Sequence, residues 1–326
     1  MTSPVFRTLD DVEYGRVDQV SPLIRRVIAE NPSKFTYRGT GTYIVGRDDV
    51  VVIDPGPRLD SHRQALESAL RGERVRAILI THCHADHSPL AAWLHDETGA
   101  PTFGFGPHPL PDPAWEELAT PPPDPESDGK REAPEGDREP VEMEESTDYE
   151  FVPSVAVVDG DVVVDAGGLT MTAMHAPGHT SNHVCWALDE ERALFTGDHV
   201  MGWSTTVVAP PDGDMGDYIE SLRRVAARAD RMLWPTHGPP RDDGAEYVAA
   251  LVDHRLQREQ GVLDALESGR TTIREIVALL YTDVRVELHK AAGMSVWSHL
   301  LKLVSEGRVV VAGDAPPALA ASYALA

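Results

Sequence analysis

Three imidazoles and a carboxylate crowd into His82-x-His84-x-Asp86-His87, directly after the mostly apolar run Val75 to Ile80. Imidazole nitrogens and carboxylate oxygens are donors that zinc, iron and manganese accept, so the chemistry this pattern suggests is metal-assisted. Val75 to Ile80 reads as a strand. With the backbone still extended at His82 and His84, their side chains point the same way while Cys83 points the other. Asp86 and His87 then fall on the turn into Ser88-Pro89, which reads as the N-cap and first position of a helix. A strand end, a tight turn and a helix start would hold the four donors at fixed distances.

Further donors recur where other strands are expected to stop. Phe35 to Val45 and Val50 to Ile53 read as a hairpin, Asp60 to Leu70 as a helix and Pro101 to Phe105 as a short strand, an order that points to α/β layers. Phe151 to Val158, Asp161 to Val164 and Leu169 to Met174 read as strands, followed by the loop Ala176-Pro177-Gly178-His179-Thr180. His183 to Leu188 and Ala193 to Thr196 are two more, the second running into Gly197-Asp198-His199. After an amphipathic helix over Asp214 to Ala227, Met232 to Trp234 ends in Pro235-Thr236-His237-Gly238. His82, His84, Asp86, His87, His179, Asp198 and His237 therefore offer seven donors without a thiolate, which suits two metal ions. His175, His183 and His199 suit structural or ligand-supporting roles, and His62, His95, His108 and His254 read as exposed helix and loop residues. Ser204, Thr205 and Thr206 would either present hydroxyls to a substrate or cap a turn.

Composition narrows the class. The 326 residues, 41% hydrophobic, suffice for one large core or for a catalytic domain with a smaller one attached. No run of about eighteen apolar residues occurs and Met1 to Arg7 lacks a signal-peptide layout, so a soluble cytoplasmic protein with no membrane partner is expected. Two cysteines, Cys83 and Cys185, provide no disulfide framework and suit a reducing compartment. The formal net charge is −24, but residues 124–150 hold twelve acids against three bases, a net of −9 that leaves −15 elsewhere. Whole-chain charge therefore says little about the site. From about 108 to 150 Pro, Asp and Glu dominate. Such a segment buries too little apolar surface to offset its ordering entropy, so a mostly disordered acidic insertion is expected, with a lid as the functional alternative.

Taken in order, these motifs resemble the metallo-β-lactamase-fold hydrolases. His-x-His-x-Asp-His stands as His82 to His87, followed in family order by Gly178-His179, Gly197-Asp198 and Thr236-His237-Gly238, over roughly residues 15 to 244. The resemblance implies an α/β fold, a four-layer αββα sandwich with its site at one edge of two sheets. It also implies one metal on His82, His84 and His179 and a second on Asp86, His87 and His237, with Asp198 bridging and Asp86 and Asp198 serving catalysis. Two zinc ions are the default, with iron or manganese acceptable to the same donors. Two cations roughly 3.5–4 Å apart can lower the pKa of a shared water to near 7, supplying hydroxide at neutral pH.

The C-terminal part, residues 245–312, reads as helices over Ala245 to Gln260, Val286 to Ala292 and Met294 to Ser305. Thr272 with Glu275 forms a capping box for another, and Arg308 to Val311 is a strand. It resembles the winged helix appended to a metallo-β-lactamase branch that includes the β-lactamase-like protein 2 group, and residues 313–326 read as a flexible tail. Residues 245–326 contain eight Lys or Arg and ten Asp or Glu, without the basic surplus of a nucleic-acid face, which favours a packing or homodimerisation role. What is known of that branch and its neighbours includes cleavage of single-stranded RNA and of thioesters, so the resemblance does not fix a substrate. The leading reading is a dinuclear-metal hydrolase that uses metal-bound hydroxide on a small-molecule acyl substrate, a thioester, ester or lactone. No general acid stands among the motif residues, and a thiolate, with pKa near about 8.5, departs without one more readily than an alkoxide does. The alternatives are a single-strand-specific endoribonuclease and a non-catalytic winged-helix DNA-binding regulator. Structural zinc sites are usually closed and thiolate-rich, unlike this set.

Overall fold

A strand that is apolar on both faces needs cover on both, and that requirement sets the layering. The computed structural model describes residues 3–120, 146–164, 169–282 and 289–326. They form two compact units, one built from residues up to Leu110 and from Thr147 to Arg258, the other from the described residues of Pro111–Ser146 and from Glu259–Ala326.

In the first unit, β1 (Val17–Gln19), β2 (Ile24–Ile28), β3 (Gly41–Arg47), β4 (Asp49–Ile53), β5 (Arg74–Leu79), β6 (Thr102–Gly104) and β7 (Val155–Ala156) form one sheet in that order. β1 to β4 are antiparallel, and β4 to β7 run parallel. The second sheet comprises β8 (Val162–Val164), β9 (Thr170–His175), β10 (Val184–Leu188), β11 (Ala193–Gly197) and β12 (Met232–Pro235), with β11 and β12 its parallel pair. Alternation sorts each strand between two cores. Tyr43, Val45, Val51 and Ile53 face Trp186, Phe195 and Trp234 between the sheets. Ile44, Val50 and Val52 meet Leu66 of α1 (Asp60–Ala69) and Leu94 of α2 (Ala91–Thr98). On the far side, Cys185 and Leu194 pack under α4 (Met215–Arg228) and the start of α5 (Gly244–Glu267). The expected four-layer αββα order is thus present. α4 follows from its sequence: Asp214 accepts the Asp217 N–H as N-cap, and Met215, Tyr218, Ile219, Leu222 and Val225 lie on one buried face.

Several boundaries differ from the sequence expectation. The strand read from Phe35 begins only at Gly41, because Tyr37 (φ +57°) and Gly39 (φ +117°) turn the backbone out of the extended region. Ser88 does not cap the next helix. Its hydroxyl donates to Asp148 Oδ2 at 2.6 Å, and α2 starts at Ala91. The strand read over Phe151 to Val158 shrinks to β7.

The second unit contains α3 (Pro113–Leu118), α6 (Ile273–Leu280), α7 (His289–Ser305) and the hairpin of β13 (Val309–Val311) with β14 (Tyr323–Leu325). Its core gathers Ile276, Val277, Val296, Trp297, Leu300 and Tyr323. The capping box is formed, with Glu275 N–H on Thr272 Oγ1 at 3.3 Å and Thr272 N–H on Glu275 Oε2 at 3.0 Å. Residues 313–326 are not a loose tail: Tyr323 is fully buried, its hydroxyl donates to Ala318 O at 2.7 Å, and β14 supplies the second strand of the wing. Helix α7 runs unbroken through Gly293, where two helices were expected. The boundary expected at 244/245 falls at the start of α5, and the compact units divide within that helix, after Arg258. Of the expected acidic insertion, 121–145 lie outside the described residues. Among its described flanks, α3 places Trp115 edge-on to Trp297, ring centroids 6.0 Å apart.

Candidate metal centre

Parallel pairing brings the motifs together. β4 and β5 run side by side, so Asp54 and Thr81 emerge together beyond their ends, and β11 beside β12 does the same for Asp198 and His237. The loop after β9 brings in His179. His82 and His84 converge as the two-residue spacing predicts, while Cys83 turns into the apolar layer beneath.

All seven predicted donors meet. His82 Nε2 and His84 Nδ1 are 2.9 Å apart, and His84 Nδ1 is 3.2 Å from His179 Nε2. Asp86 Oδ2 lies 3.2 Å from His237 Nε2 and 3.4 Å from His87 Nε2. Asp198 stands between the two clusters: Oδ1 is 3.6 Å from His87 Nε2, and Oδ2 is 3.3 Å from His237 Nε2 and 4.0 Å from His179 Nε2.

The opposite edges of the rings explain why these nitrogens point inward. Val207 O accepts from His179 Nδ1 at 2.7 Å and Gly39 O from His237 Nδ1 at 3.3 Å, and a carbonyl can only accept. Asp54 Oδ2 accepts from His87 Nδ1 at 2.8 Å. The Thr81 hydroxyl gives its proton to Asp54 Oδ2 at 2.7 Å, so its oxygen is left to accept from His82 Nδ1 at 3.0 Å. In His82, His87, His179 and His237 the Nδ1 edge is thereby engaged and Nε2 faces the centre, whereas His84 presents Nδ1.

Burial and neighbouring imidazoles hold His82 and His84 well below the usual histidine range. Burial would also lower His87 and His237, but the surrounding carboxylates win: His87 is raised well above its ordinary value by Asp86, Asp198 and Asp54, and His237 is pushed up to about 10. Burial would raise Asp198, yet His237 and His87 hold it well below the carboxylate range. One cluster thus presents neutral nitrogens and the other carboxylates. His84 Nδ1 faces His82 Nε2 at 2.9 Å and His179 Nε2 at 3.2 Å; one proton on Nδ1 can fully serve only one of these contacts, whereas a cation would meet all three nitrogens. His87 Nε2 and Asp198 Oδ1 are enclosed without a hydrogen-bond partner among the described residues. An unmet buried donor or acceptor costs roughly 1–3 kcal/mol, and coordination to a cation would satisfy both atoms. The donor set therefore fits divalent metal ions.

One residue of the site escapes motif reading. Asp54-Pro55-Gly56 reads only as the end of a strand, yet Asp54, fully buried and at φ +47°, collects Thr81 N–H at 2.8 Å, the Thr81 and Thr236 hydroxyls and His87 Nδ1. The available signal is an ionisable residue directly after the apolar run Val50 to Ile53. His183 supports the centre as its position suggests: its Nε2 accepts the Asp198 N–H at 3.2 Å and its ring stacks on His82, centroids 5.1 Å apart. His199 is buried edge-on to Tyr218, and burial pulls it down to about 3. His175 stacks on Phe105, centroids 3.8 Å apart. His62 and His108 are buried, not exposed. His62 Nε2 sits 2.8 Å from Thr42 Oγ1, and the His108 ring lies 6.5 Å from that of His84. Thr206 is closed to a substrate, since its buried hydroxyl donates to Asp198 O at 2.7 Å and His199 O at 3.1 Å. Ser204 and Thr205 are half-buried, and the Ser204 hydroxyl reaches Thr205 O at 3.3 Å.

Comparison with known proteins agrees with this layout. The family described as Metallo-beta-lactamase superfamily matches residues 37–237, and the Beta-lactamase associated winged helix domain matches 272–316. A Beta-lactamase-like protein 2 homolog of Caenorhabditis elegans is 30% identical over 302 residues, covering 90% of this chain and 88% of its own. An atrochrysone carboxyl ACP thioesterase of Pseudocercospora fijiensis is 29% identical over 305 residues, covering 90% and 78%. In fold, the chain is similar to a beta-lactamase domain protein from Burkholderia ambifaria, with TM-score 0.73, 22% identity and 97% and 96% of the two chains covered. A metallo-beta-lactamase family protein of Thermus thermophilus has TM-score 0.70 and 23% identity, with 94% and 100% covered. Among the described residues, no helix is long and apolar enough to cross a membrane.

Proposed function

The chain belongs to the metallo-β-lactamase superfamily and is a hydrolase with an appended winged helix, and on that premise we propose that it binds two divalent cations, zinc by default, and cleaves an acyl thioester. The observation that carries this reading is the meeting of His82, His84 and His179 with Asp86, His87 and His237 on either side of Asp198. In it, the first three side chains would hold one cation and the second three the other, with Asp198 placed to serve either. When bound, such cations supply Lewis acidity, polarising an acyl carbonyl and easing the deprotonation of water.

The chain's own residues supply the rest. Asp86 and Asp198, held ionised by His87 and His237, are the carboxylates able to take up a proton at the centre. The Asp198 backbone N–H on His183 Nε2 and the Thr206 hydroxyl on Asp198 O fix the bridging residue from both of its peptide groups. Asp54 holds His87 and, through Thr81, His82, so that both clusters keep their orientation through turnover. No general acid joins the seven donors. A thiolate leaves without one more readily than an alkoxide, which favours a thioester over an oxygen ester or lactone. The name of the thioesterase relative points to the same bond. Zinc-loaded full-length protein should therefore hydrolyse an acyl thioester faster than a lactone and leave labelled single-stranded RNA intact, with His84→Ala inactive. Turnover of RNA without thioester, or full activity in the variant, would overturn the reading.

A further inference from the structure

The two clusters are oriented from different parts of the fold. His82 and His179 are held by Thr81 and by Val207 O. On the other side, two of the three donors are held by the loop between β2 and β3. Thr40 Oγ1 donates to Asp86 Oδ2 at 2.7 Å, and Gly39 O accepts from His237 Nδ1 at 3.3 Å.

We infer that Asn31 and Thr40 are positioning residues for the second cation, fixing Asp86 so that this loop sets occupancy of the Asp86/His87/His237 site independently of the three-histidine site. The inference rests on the two-cation reading above. Asn31 Oδ1 accepts the Thr40 N–H at 2.9 Å, which fixes the orientation of its amide, and Asn31 Nδ2 donates to Thr40 Oγ1 at 2.8 Å. Thr40 has one hydroxyl proton and its oxygen already accepts from Asn31, so that proton is left for Asp86. Asp86 needs such a partner most. Its side chain is 22% exposed, whereas those of His87, Asp198 and His237 are 0%, 4% and 2% exposed and are held by packing as well. The bonded oxygen, Oδ2, is the one that faces His237 and His87, and its second lone pair stays directed at the centre.

The loop is built to keep this shape. A side chain at Gly39 would stand 2.1 Å from Ala29 O, so only glycine fits there. Tyr37 adopts a left-handed conformation that costs roughly 1–2 kcal/mol, and its ring stacks on Trp203 with centroids 4.7 Å apart. Trp203 in turn packs against Gly238, next to His237. Losing the partner of a ligating side chain typically lowers metal affinity 10–100-fold.

The test is calorimetric titration of metal-free full-length protein with zinc, using the wild type, Thr40→Val, Thr40→Ser and Asn31→Ala, with circular dichroism as the fold control. The wild type should take up two equivalents. Thr40→Val should weaken the second about 10–100-fold and leave the first unchanged, Thr40→Ser should restore it, and Asn31→Ala should fall between. Asn31→Ala keeps the Thr40 side chain in place and carries the test if the valine variant does not fold. Equal loss at both sites, or no loss at either in the folded variants, overturns the inference. A wild type that takes up one equivalent overturns the two-cation reading, and this inference with it.

Discussion

Both compact units bury acidic side chains, but Glu259 in one and Asp198 in the other are met differently. In the C-terminal unit, Glu259 is 5% exposed and accepts Lys302 Nζ at 2.7 Å and Arg308 Nη1 at 2.9 Å, so its charge is balanced by neighbours on the same small core. In the catalytic unit, Asp198 is 3% exposed, yet among the described residues its Oδ1 has no hydrogen-bond partner, and it faces histidines that the donor pattern turns toward a common centre. A buried charge matched within the protein serves folding. One left facing a cluster of other donors serves whatever enters that cluster.

The sharpest way to separate the two is to add the cation. At a free zinc concentration 100 times its Kd, binding should stabilise the catalytic unit by about 2.7 kcal/mol, slowing amide exchange of the most protected amides in β5 and β11 roughly 100-fold, while α7 stays unchanged. Equal slowing in α7 would erase the distinction. Next in size is Asp54→Asn, which removes the charge beneath His87 and Thr81 and should weaken zinc binding 10–100-fold in a chelator competition without changing exchange in α7.

Acid reverses the contrast. Burial would raise Glu259, but the neighbouring His299, with its Nδ1 3.9 Å away, and the hydrogen-bonded charges of Lys302 and Arg308 together bring it down to about 2. Its folded value lies below its unfolded one, so the stabilisation is fully present above about pH 4.5 and is lost as pH falls toward 2. That loss, on the order of 2–3 kcal/mol, should appear as faster exchange in α7 and be absent in Glu259→Gln. The smallest effect belongs to Thr272→Ala, which removes half of the α6 capping box and should cost the C-terminal unit about 1 kcal/mol in denaturant titration, with zinc affinity unchanged.

Legibility followed the same division. The seven donors could be read because each stands at the end of a short apolar strand or in the loop just after one, where period-two alternation or a glycine or proline turn limits where a side chain can point. Asp54 was hidden because its role is written in no local pattern: it becomes a hub only when β4 and β5 pair in parallel. Thr40 was obscured by the β-rich run from Phe35 to Val45, in which the left-handed turn at Tyr37 is set by stacking on Trp203, more than 160 residues away. His62 and His108 looked exposed because a polar side chain in a helix or loop gives no sign of what packs over it. The last residues looked loose from their Ala and Pro content, while Tyr323 is fully buried and Trp297 Nε1 donates to Pro317 O at 2.8 Å. Thr206 showed the converse error, since a hydroxyl beside a site draws attention even when backbone carbonyls already occupy it.

The most direct measurement takes the full-length protein through chelation and stepwise reconstitution, following bound metal by elemental analysis and hydrolysis of an acyl thioester in the same samples. The account predicts loss of turnover with loss of metal, recovery on reconstitution to two equivalents per chain, and neither metal nor turnover in His84→Ala. Thioester hydrolysis that persists in metal-free protein, or reconstituted protein that holds its metal and hydrolyses no thioester, would contradict it.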